Sequence, residues 1–283
     1  MNGIEIRGLH RGYQGVEVLR GLYMDVRAGE VVALLGPNGA GKTTTIAILT
    51  TLLMPDAGTA LVAGHDVATA PESVRAAIAV TGQSASVDGM LTGRENLEMM
   101  MRLWGATLRE ARARAGSALE EAGLADAADR RASTYSGGMR RRLDLTLGLV
   151  SKARVLFLDE PTTGLDTRAR AWLWGEVRAA AARGTAVLVT TQYLEEAEAF
   201  ADRVVILHGG VAVADDTPAN LTSSVAAARL ELETASGITT LHTDGTVANL
   251  RALLADAPEG ATVTVRRPTL DDVFLDLTKE VNA

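Results

Sequence analysis

Hydrophobic and polar positions along the chain divide it into short strands and amphipathic helices. Apolar residues alternate with other residues over 4–6 and 22–26, and a continuous apolar run fills 31–35. Alternation is typical of a strand with one buried face, whereas an unbroken apolar run is typical of a strand buried on both faces. The pattern then predicts a helix over about 42–53, a turn at 55–58 and a strand over 59–63.

After residue 83 the hydrophobic pattern changes from strand-like to helical, and near residue 154 it returns to apolar strands. Residues from about 84 to 150 are mostly helical and charged in pattern, which predicts a helical subdomain inserted in the core. Apolar strands return at 154–158 and 185–189, and two β-branched runs around Gly209-Gly210 predict a hairpin. Because strands of this type alternate with helices, we predict an α/β fold around a parallel sheet. A composition shift after Pro218 predicts two domains, 1–220 and a small C-terminal α+β appendage at 221–283.

Composition narrows the function classes. The 283 residues, 47% of them hydrophobic, are enough for a sizeable core. A net charge of −7 argues against nucleic acid as the main partner, and the lack of cysteine excludes disulfides and thiolate metal sites. No apolar run approaches the ~20 residues that span a bilayer. We therefore expect a protein without a signal peptide, soluble or bound to a membrane through another subunit.

The clearest chemical pattern is "LLGPNGAGKTTT", between an apolar strand and a helix. Two glycines with four residues between them precede a lysine and a threonine, which is the phosphate-loop spacing. Glycines let successive N–H groups point at phosphate oxygens, lysine adds a charge, and the threonine hydroxyl is offered to Mg²⁺. The predicted nucleotide-binding residues are Gly36, Pro37, Asn38, Gly39, Ala40, Gly41, Lys42, Thr43 and Thr44.

A second pattern, "RVLFLDEPTTGLD", delivers Asp159 and Glu160 at the end of an apolar strand. Adjacent carboxylates at a buried strand end are costly unless a cation or a reactant uses them. We predict that Asp159 holds Mg²⁺ through its water shell and that Glu160 polarises the attacking water. The alternative is a pair of solvated loop acids.

A third pattern, "STYSGGMRRRLDLTLGLV", places Ser136, Gly137 and Gly138 where a helix begins. Such a helix start binds anions, although an ordinary helix cap explains the three residues equally well. Met139, Leu143, Leu147 and Val150 recur at helical spacing and predict the buried face. Residues 140–142, all arginine, are predicted to form a solvated face by default.

These three segments, in this order and spacing, resemble the nucleotide-binding subunit of ATP-binding cassette (ABC) transporters over about residues 1–220. The resemblance implies a P-loop NTPase (RecA-like) ABC cassette with an antiparallel β subdomain and a helical subdomain. It also implies a head-to-tail homodimer. In that dimer, ATP on one subunit's phosphate loop is capped by Ser136, Gly137 and Gly138 of the other.

The resemblance assigns further positions. Tyr13 matches the aromatic residue that stacks on adenine, although an ordinary strand aromatic explains it as well. Gln83 matches the glutamine that senses Mg²⁺ and water and links the core to the helical subdomain. Asp166, in "TGLD", matches the aspartate that communicates across the dimer.

One position departs from the family. After the strand at 186–191 the family has a histidine that bonds the γ-phosphate, and this chain has Gln192. Glutamine can donate an N–H to phosphate but cannot carry a proton or a positive charge. We therefore predict that Gln192 positions the nucleotide and leaves Glu160 as the main polarising group. The alternative is a strand cap whose amide faces solvent.

A narrower resemblance concerns "TGQSASVDGMLTGRENL", "TTQYLEEAE" and "RPTLDDVFLDLT", which are similar to the daunorubicin-resistance subfamily of drug-exporter ATPases. That resemblance implies ATP and Mg²⁺ as ligands, an ABC-2 type membrane permease as partner and a place at the cytoplasmic face of the membrane. Export of a drug, antibiotic or lipid-like compound is the expected function. Two alternatives stay open: a soluble ABC ATPase that remodels a ribosome, DNA or an iron–sulfur scaffold, and a regulatory nucleotide-binding module without turnover.

Overall fold

The computed structural model describes residues 2–82, 87–225, 228–234, 237–255, 257–258, 260–266 and 268–280. Contacts divide the chain into two compact units. The first comprises Met1–Gln192 and Phe200–Asp215, and the second comprises Tyr193–Ala199 and Asp216–Ala283.

A mostly parallel sheet of six strands forms the centre of the first unit, in the order β10-β9-β3-β8-β7-β6. Strands β3, β7 and β8 are buried at every position, because their apolar side chains are covered on both faces. The predicted apolar strands are confirmed within one residue at each end, and β6 was not anticipated. The strands are β3 Val31–Leu35, β6 Ile78–Thr81, β7 Val155–Asp159, β8 Ala186–Thr190, β9 Arg203–His208 and β10 Val211–Asp216.

The predicted hairpin is confirmed, since β9 and β10 are neighbours in this sheet. Gly209 and Gly210 have φ angles of 56° and 84°. Positive φ at both central positions is what a two-residue hairpin turn requires, and glycine adopts it without strain.

A four-stranded antiparallel sheet, in the order β2-β1-β4-β5, lies over the central sheet. One cluster of buried side chains joins Ile4 and Leu22 of this sheet, Val32 and Phe157 of the parallel sheet, and Ile48 of the first helix. The two longest strands exceed the alternating runs seen in the sequence. The strands are β1 Asn2–Tyr13, β2 Val16–Arg27, β4 Ala57–Val62 and β5 His65–Asp66.

Helix α1 begins at Lys42 and ends at Leu49, four residues before the predicted end. The prediction was wrong there because Thr51 has a φ of 64°, which no helix continues through. The remaining helices of the core are α2 Pro71–Ala77 and α6 Thr167–Ala182.

The predicted helical subdomain contains α3 Gly93–Leu103, α4 Leu108–Glu121 and α5 Gly137–Leu149, with short 3-10 turns at Ala125–Ala127 and Ala132–Thr134. Capping boxes start α3 at Thr92 and α4 at Thr107, which satisfies N–H groups that a helix start leaves open. The subdomain has its own apolar cluster, in which Leu143 and Leu147 are buried and Met139 and Val150 pack at the edge. The predicted buried face of α5 is therefore confirmed.

The second unit contains a three-stranded antiparallel sheet in the order β12-β11-β13. The elements are α7 Leu194–Phe200, which runs from the second unit into the first, α8 Pro218–Val225, β11 Ala228–Thr234, β12 Gly237–Thr243, α9 Val247–Leu254, β13 Thr262–Arg266 and α10 Leu270–Glu280.

Among the helices of the described residues, none is both long and apolar enough to cross a bilayer.

Candidate active site

In the loop between β3 and α1, two glycines lie so close to neighbouring residues that a side chain would not fit. A Cβ on Gly36 would lie 2.3 Å from the carbonyl oxygen of Leu207, and one on Gly41 would lie 2.6 Å from Leu19 Cδ2. Gly39 and Gly41 have φ angles of 82° and 109°, which side chains rarely adopt. Gly39 has no neighbour within 4 Å of its would-be Cβ, so the loop has open space beside it.

Lys42 is held beneath this loop. Lys42 is only 7% exposed. Its Nζ donates to the carbonyl oxygen of Gly36 at 2.6 Å and to that of Pro37 at 3.1 Å. Burial lowers the pKa of Lys42, while the negative charges of Glu160 and Asp159 oppose that shift. The lysine and the two carboxylates therefore lie in one electrostatic neighbourhood. Thr43 is exposed and Thr44 half-buried at the start of α1.

Asp159 and Thr190 are paired in register at the ends of β7 and β8. The Thr190 hydroxyl donates to Asp159 Oδ1, and both residues are buried. Sequence reasoning missed this contact of Thr190. Its only signal was a threonine at the end of an otherwise apolar strand.

Glu160 follows directly and has a φ of 45°, in the left-handed region that is strained for a residue with a side chain. Its backbone N–H donates to the carbonyl oxygen of Thr190 at 3.1 Å and to the Thr190 hydroxyl at 3.2 Å. Strain of this kind persists where the surroundings over-determine the backbone, as they do at the end of β7.

Gln192 lies two residues beyond Thr190, at the edge of the sheet where β3, β7 and β8 all end. Thr191 is buried, whereas Gln192 is exposed. The position is compatible with both interpretations of Gln192, so its role in nucleotide positioning stays a prediction.

The start of α5 is built differently from the start of α1. Ser136 is the N-cap, and its hydroxyl accepts from the backbone N–H of Met139 at 3.3 Å. Ser136 and Gly137 are exposed, Gly138 is half-buried, and a Cβ on Gly137 would meet nothing within 4 Å. In the part of the chain that the structure describes, no hydrogen bond joins these residues to the phosphate loop.

The prediction of a solvated arginine face at 140–142 was wrong. All three side chains are half-buried and donate to backbone carbonyls. Arg140 reaches Ala132 at 3.2 Å, and Arg142 reaches Ala122 at 3.1 Å. Arg141 reaches further, to the carbonyl oxygen of Glu160. The physical reason is that backbone carbonyls beside α5 need donors, which sequence spacing does not reveal.

Two of the residues assigned by resemblance, Tyr13 and Asp166, can be placed in the structure. Tyr13 ends β1 and is 39% exposed, with the Arg11 guanidinium 5.0 Å from its ring centroid. Asp166 caps α6, since its Oδ1 accepts from the N–H of Ala169 at 2.7 Å. Gln83 lies outside the described residues.

Oxygen donors suited to a small hard cation are present. The Asp159 carboxylate and the Thr43 hydroxyl are such donors, and Mg²⁺ is usually held by one or two carboxylates together with substrate phosphates. The described residues contain no group of three or more His, Asp or Glu side chains able to hold a metal alone. The donor set therefore fits Mg²⁺ bound together with a nucleotide.

A glycine loop over a buried lysine after β3, with two carboxylates at the end of β7 on the far side of β8, is typical of a phosphate-loop NTPase. A family model described as "ABC transporter" matches residues 19–163. The chain therefore belongs to the ABC transporter family and is an ABC ATPase. The predicted family, fold class and enzymatic activity are confirmed.

Individual relatives extend the match over nearly the whole chain. The daunorubicin/doxorubicin resistance ATP-binding protein of Streptomyces peucetius is 46% identical over 97% of this chain and 92% of its own length. Nod factor export ATP-binding protein I of Burkholderia orbicola is 42% identical over 78% of this chain and 73% of its own. A solved ATP-binding subunit of an ABC transporter has a TM-score of 0.76 at 26% identity, covering 97% of this chain and 99% of that one. The chain is thus similar to transporter subunits, and the two alternatives outside transport are not favoured.

Proposed function

We propose that this chain drives the export of a drug, antibiotic or lipid-like hydrophobic compound through an ABC-2 type permease. Relatives named for daunorubicin resistance and for Nod factor export support the direction and the class of compound. The chain would act at the cytoplasmic face of the membrane, attached through the permease. Residues 1–220 would be the nucleotide-binding domain, with 221–283 as an accessory domain.

The observation that carries the catalytic proposal is that Lys42, bonded to Gly36 just beyond β3, lies at the same sheet edge as Asp159 and Glu160 at the end of β7, with β8 between the two strands. Lys42 binds the β- and γ-phosphates, and Glu160 polarises the attacking water as a general base. Asp159 and Thr43 would hold Mg²⁺, and the family resemblance implies the same role for Gln83. When bound, Mg²⁺ neutralises charge on the phosphate oxygens.

Thr190 supports this division of roles. Its hydroxyl occupies Asp159 Oδ1, while its carbonyl accepts from the Glu160 N–H. One residue of the neighbouring strand thereby contacts both the carboxylate of Asp159 and the backbone of Glu160. Tyr13 stacks on adenine, and Gln192 donates to the γ-phosphate without taking a proton.

The exposed start of α5 supports a head-to-tail homodimer. Ser136, Gly137 and Gly138 offer N–H groups at a helix N-terminus, where the positive end of the helix dipole favours phosphate. Because Ser136 and Gly137 are exposed in one chain, a second chain's nucleotide can reach this helix start. Asp166 lies at the start of α6 and would contact the partner subunit.

The test is Glu160→Gln, which keeps the shape of the side chain and removes its basicity. We expect phosphate release to fall by about 10²–10⁴-fold, the range typical of a lost general base, while ATP still binds. Glu72→Gln removes one exposed helical carboxylate elsewhere and should leave turnover unchanged.

The same assay addresses transport. Phosphate release is measured with the chain alone and with membrane vesicles that contain the permease. Stimulation by permease-containing vesicles supports a transport ATPase. Full turnover by Glu160→Gln contradicts the catalytic assignment, and equal rates with permease-containing and permease-free vesicles contradict the transport assignment.

A further inference from the structure

Arg141 joins three separate segments of the first unit. Its Nη1 donates to the carbonyl oxygen of Gly82 at 2.7 Å, and its Nη2 donates to those of Glu160 at 3.0 Å and Asp159 at 3.4 Å. The guanidinium is only 16% exposed, and the fully buried Asp144 lies 3.5 Å from Nη1. One side chain of α5 therefore contacts both the end of β7 and Gly82, the residue directly after β6.

These contacts suit arginine in particular. A guanidinium is planar and presents its donors in a rigid fork, so it can bond several acceptors at once without changing conformation. An acceptor-rich environment of three carbonyls and a carboxylate satisfies both terminal nitrogens. Charge-assisted hydrogen bonds of this type are about twice as strong as neutral ones.

The acceptor at Glu160 is the one with consequences for catalysis. Glu160 has a left-handed backbone, with its N–H held by Thr190 and its carbonyl held by Arg141. The peptide groups on both sides of its Cα are thereby fixed. The orientation of these two peptide groups sets the direction of the Cα–Cβ bond. The two contacts together therefore fix the direction in which the Glu160 side chain leaves the backbone.

We propose that Arg141 is a positioning residue for ATP hydrolysis, which sets the backbone of Glu160 from helix α5. The inference rests on the proposed role of Glu160. Arg141 does not touch the nucleotide in this account. It links the position of α5, and of Gly82 next to Gln83, to the geometry of the general base.

The size of the effect follows from the sensitivity of catalysis to distance. A misplacement of about 1 Å at a catalytic group can lower the rate on the order of 10²-fold. Arg141→Ala should therefore lower kcat by about 10- to 100-fold, with the KM for ATP unchanged. Arg141→Lys keeps the positive charge and should recover part of the loss. Recovery should be incomplete, because one ammonium bonds fewer of these carbonyls at once than a guanidinium does.

Arg142→Ala is the matched control. Arg142 lies on the same helix, carries the same charge and donates to the carbonyl oxygens of Ala122 and Gly123, away from β7. This variant should keep kcat near that of the unchanged protein. An equal loss in both variants would show a general effect on α5 and overturn the proposal.

A double-mutant cycle separates positioning from a structural role. If Arg141 acts through Glu160, Arg141→Ala should cause no further loss of residual turnover in a Glu160→Gln background. The same fold-loss in both backgrounds would overturn the inference. If Arg141→Ala does not fold, as judged by circular dichroism, the cycle is run with Arg141→Lys. Failure of the proposed function is distinguishable, because Glu160→Gln alone would then turn over normally.

Discussion

The N-termini of α1 and α5 both carry glycines and backbone N–H groups suited to an anion, but they differ in how far their own chain encloses them. The start of α1 is enclosed by its own chain, with Lys42 buried and Gly36 and Gly41 packed against Leu207 and Leu19. The start of α5 is exposed, and apart from its serine cap it has open space around Gly137.

The difference shows that an anion-binding helix end is not by itself a finished site. The α1 end has a cation and two carboxylates near it, so the charged groups suited to a bound phosphate come from its own chain. The α5 end offers N–H groups at an exposed helix start, which suits a contribution to a nucleotide held by another chain. The predictions below test this contrast.

The largest effect is expected at the enclosed helix start. Lys42→Met keeps the length of the side chain and removes the charge, so ATP hydrolysis should fall by about 10²-fold or more. Lys152→Met removes the same charge from an exposed position and should leave turnover unchanged. Phosphate release and nucleotide binding are measured for both, and normal hydrolysis by Lys42→Met would contradict the site.

A smaller but still substantial loss is expected at the exposed start. Gly137→Asp has room for its side chain and brings a negative charge to a phosphate-binding end, so turnover should fall by on the order of 10-fold or more. Gly175→Asp, on α6, also has open space for a Cβ and is the matched control.

Mixing the two defective proteins distinguishes one chain from two. If the α5 end serves the partner's nucleotide, a mixture of Lys42→Met and Gly137→Asp should regain activity, since mixed dimers contain one intact site. A site completed within a single chain would give an inactive mixture. The measurement is phosphate release as a function of mixing ratio.

Gln192 comes next in size. Gln192→Ala should lower kcat on the order of 10-fold, the value of one hydrogen bond to a charged group. Gln192→His introduces a group that titrates near pH 6.5. The pH profile of that variant should show a limb at about its pKa that the unchanged protein lacks. Unchanged turnover in Gln192→Ala would leave only the solvent-facing strand cap.

The smallest effect concerns Tyr13. The Arg11 guanidinium lies over the ring and is itself held by Asp56 at 2.6 Å. Arg11→Ala should raise the KM for ATP by about 2- to 5-fold, the value of an exposed cation–π contact. Binding of inorganic triphosphate, which has no adenine, should not change. Arg7→Ala, on the same strand, is the control, and an equal change for both ligands would contradict a role in adenine stacking.

Much of the fold could be predicted because its signals are local. Continuous apolar runs identified β3, β7 and β8, and a positive φ at Gly209 and Gly210 follows from their lack of a side chain. The end of α1 could not be predicted, since the turn at Thr51 has no glycine or proline to mark it. The domain boundary at residue 220 stays a prediction.

At the candidate site, too, some residues could be predicted from the sequence and others could not. The phosphate loop, Asp159 and Glu160 were visible because their chemistry depends on residues adjacent in sequence. Arg141 and Thr190 were not, because their partners lie 19 and 31 residues away along the chain. Such pairs exist only once β7, β8 and α5 are in place.

By itself, the sequence determined the glycine loop, the two adjacent carboxylates at the end of an apolar strand and the family, because backbone freedom at glycine and burial of apolar runs act over a few residues. The tertiary structure alone decided that the arginines of α5 serve the interior and that the two helix starts differ in exposure. The physical reason is that hydrogen-bond partners and burial depend on strand register and helix packing, which join residues distant in the chain.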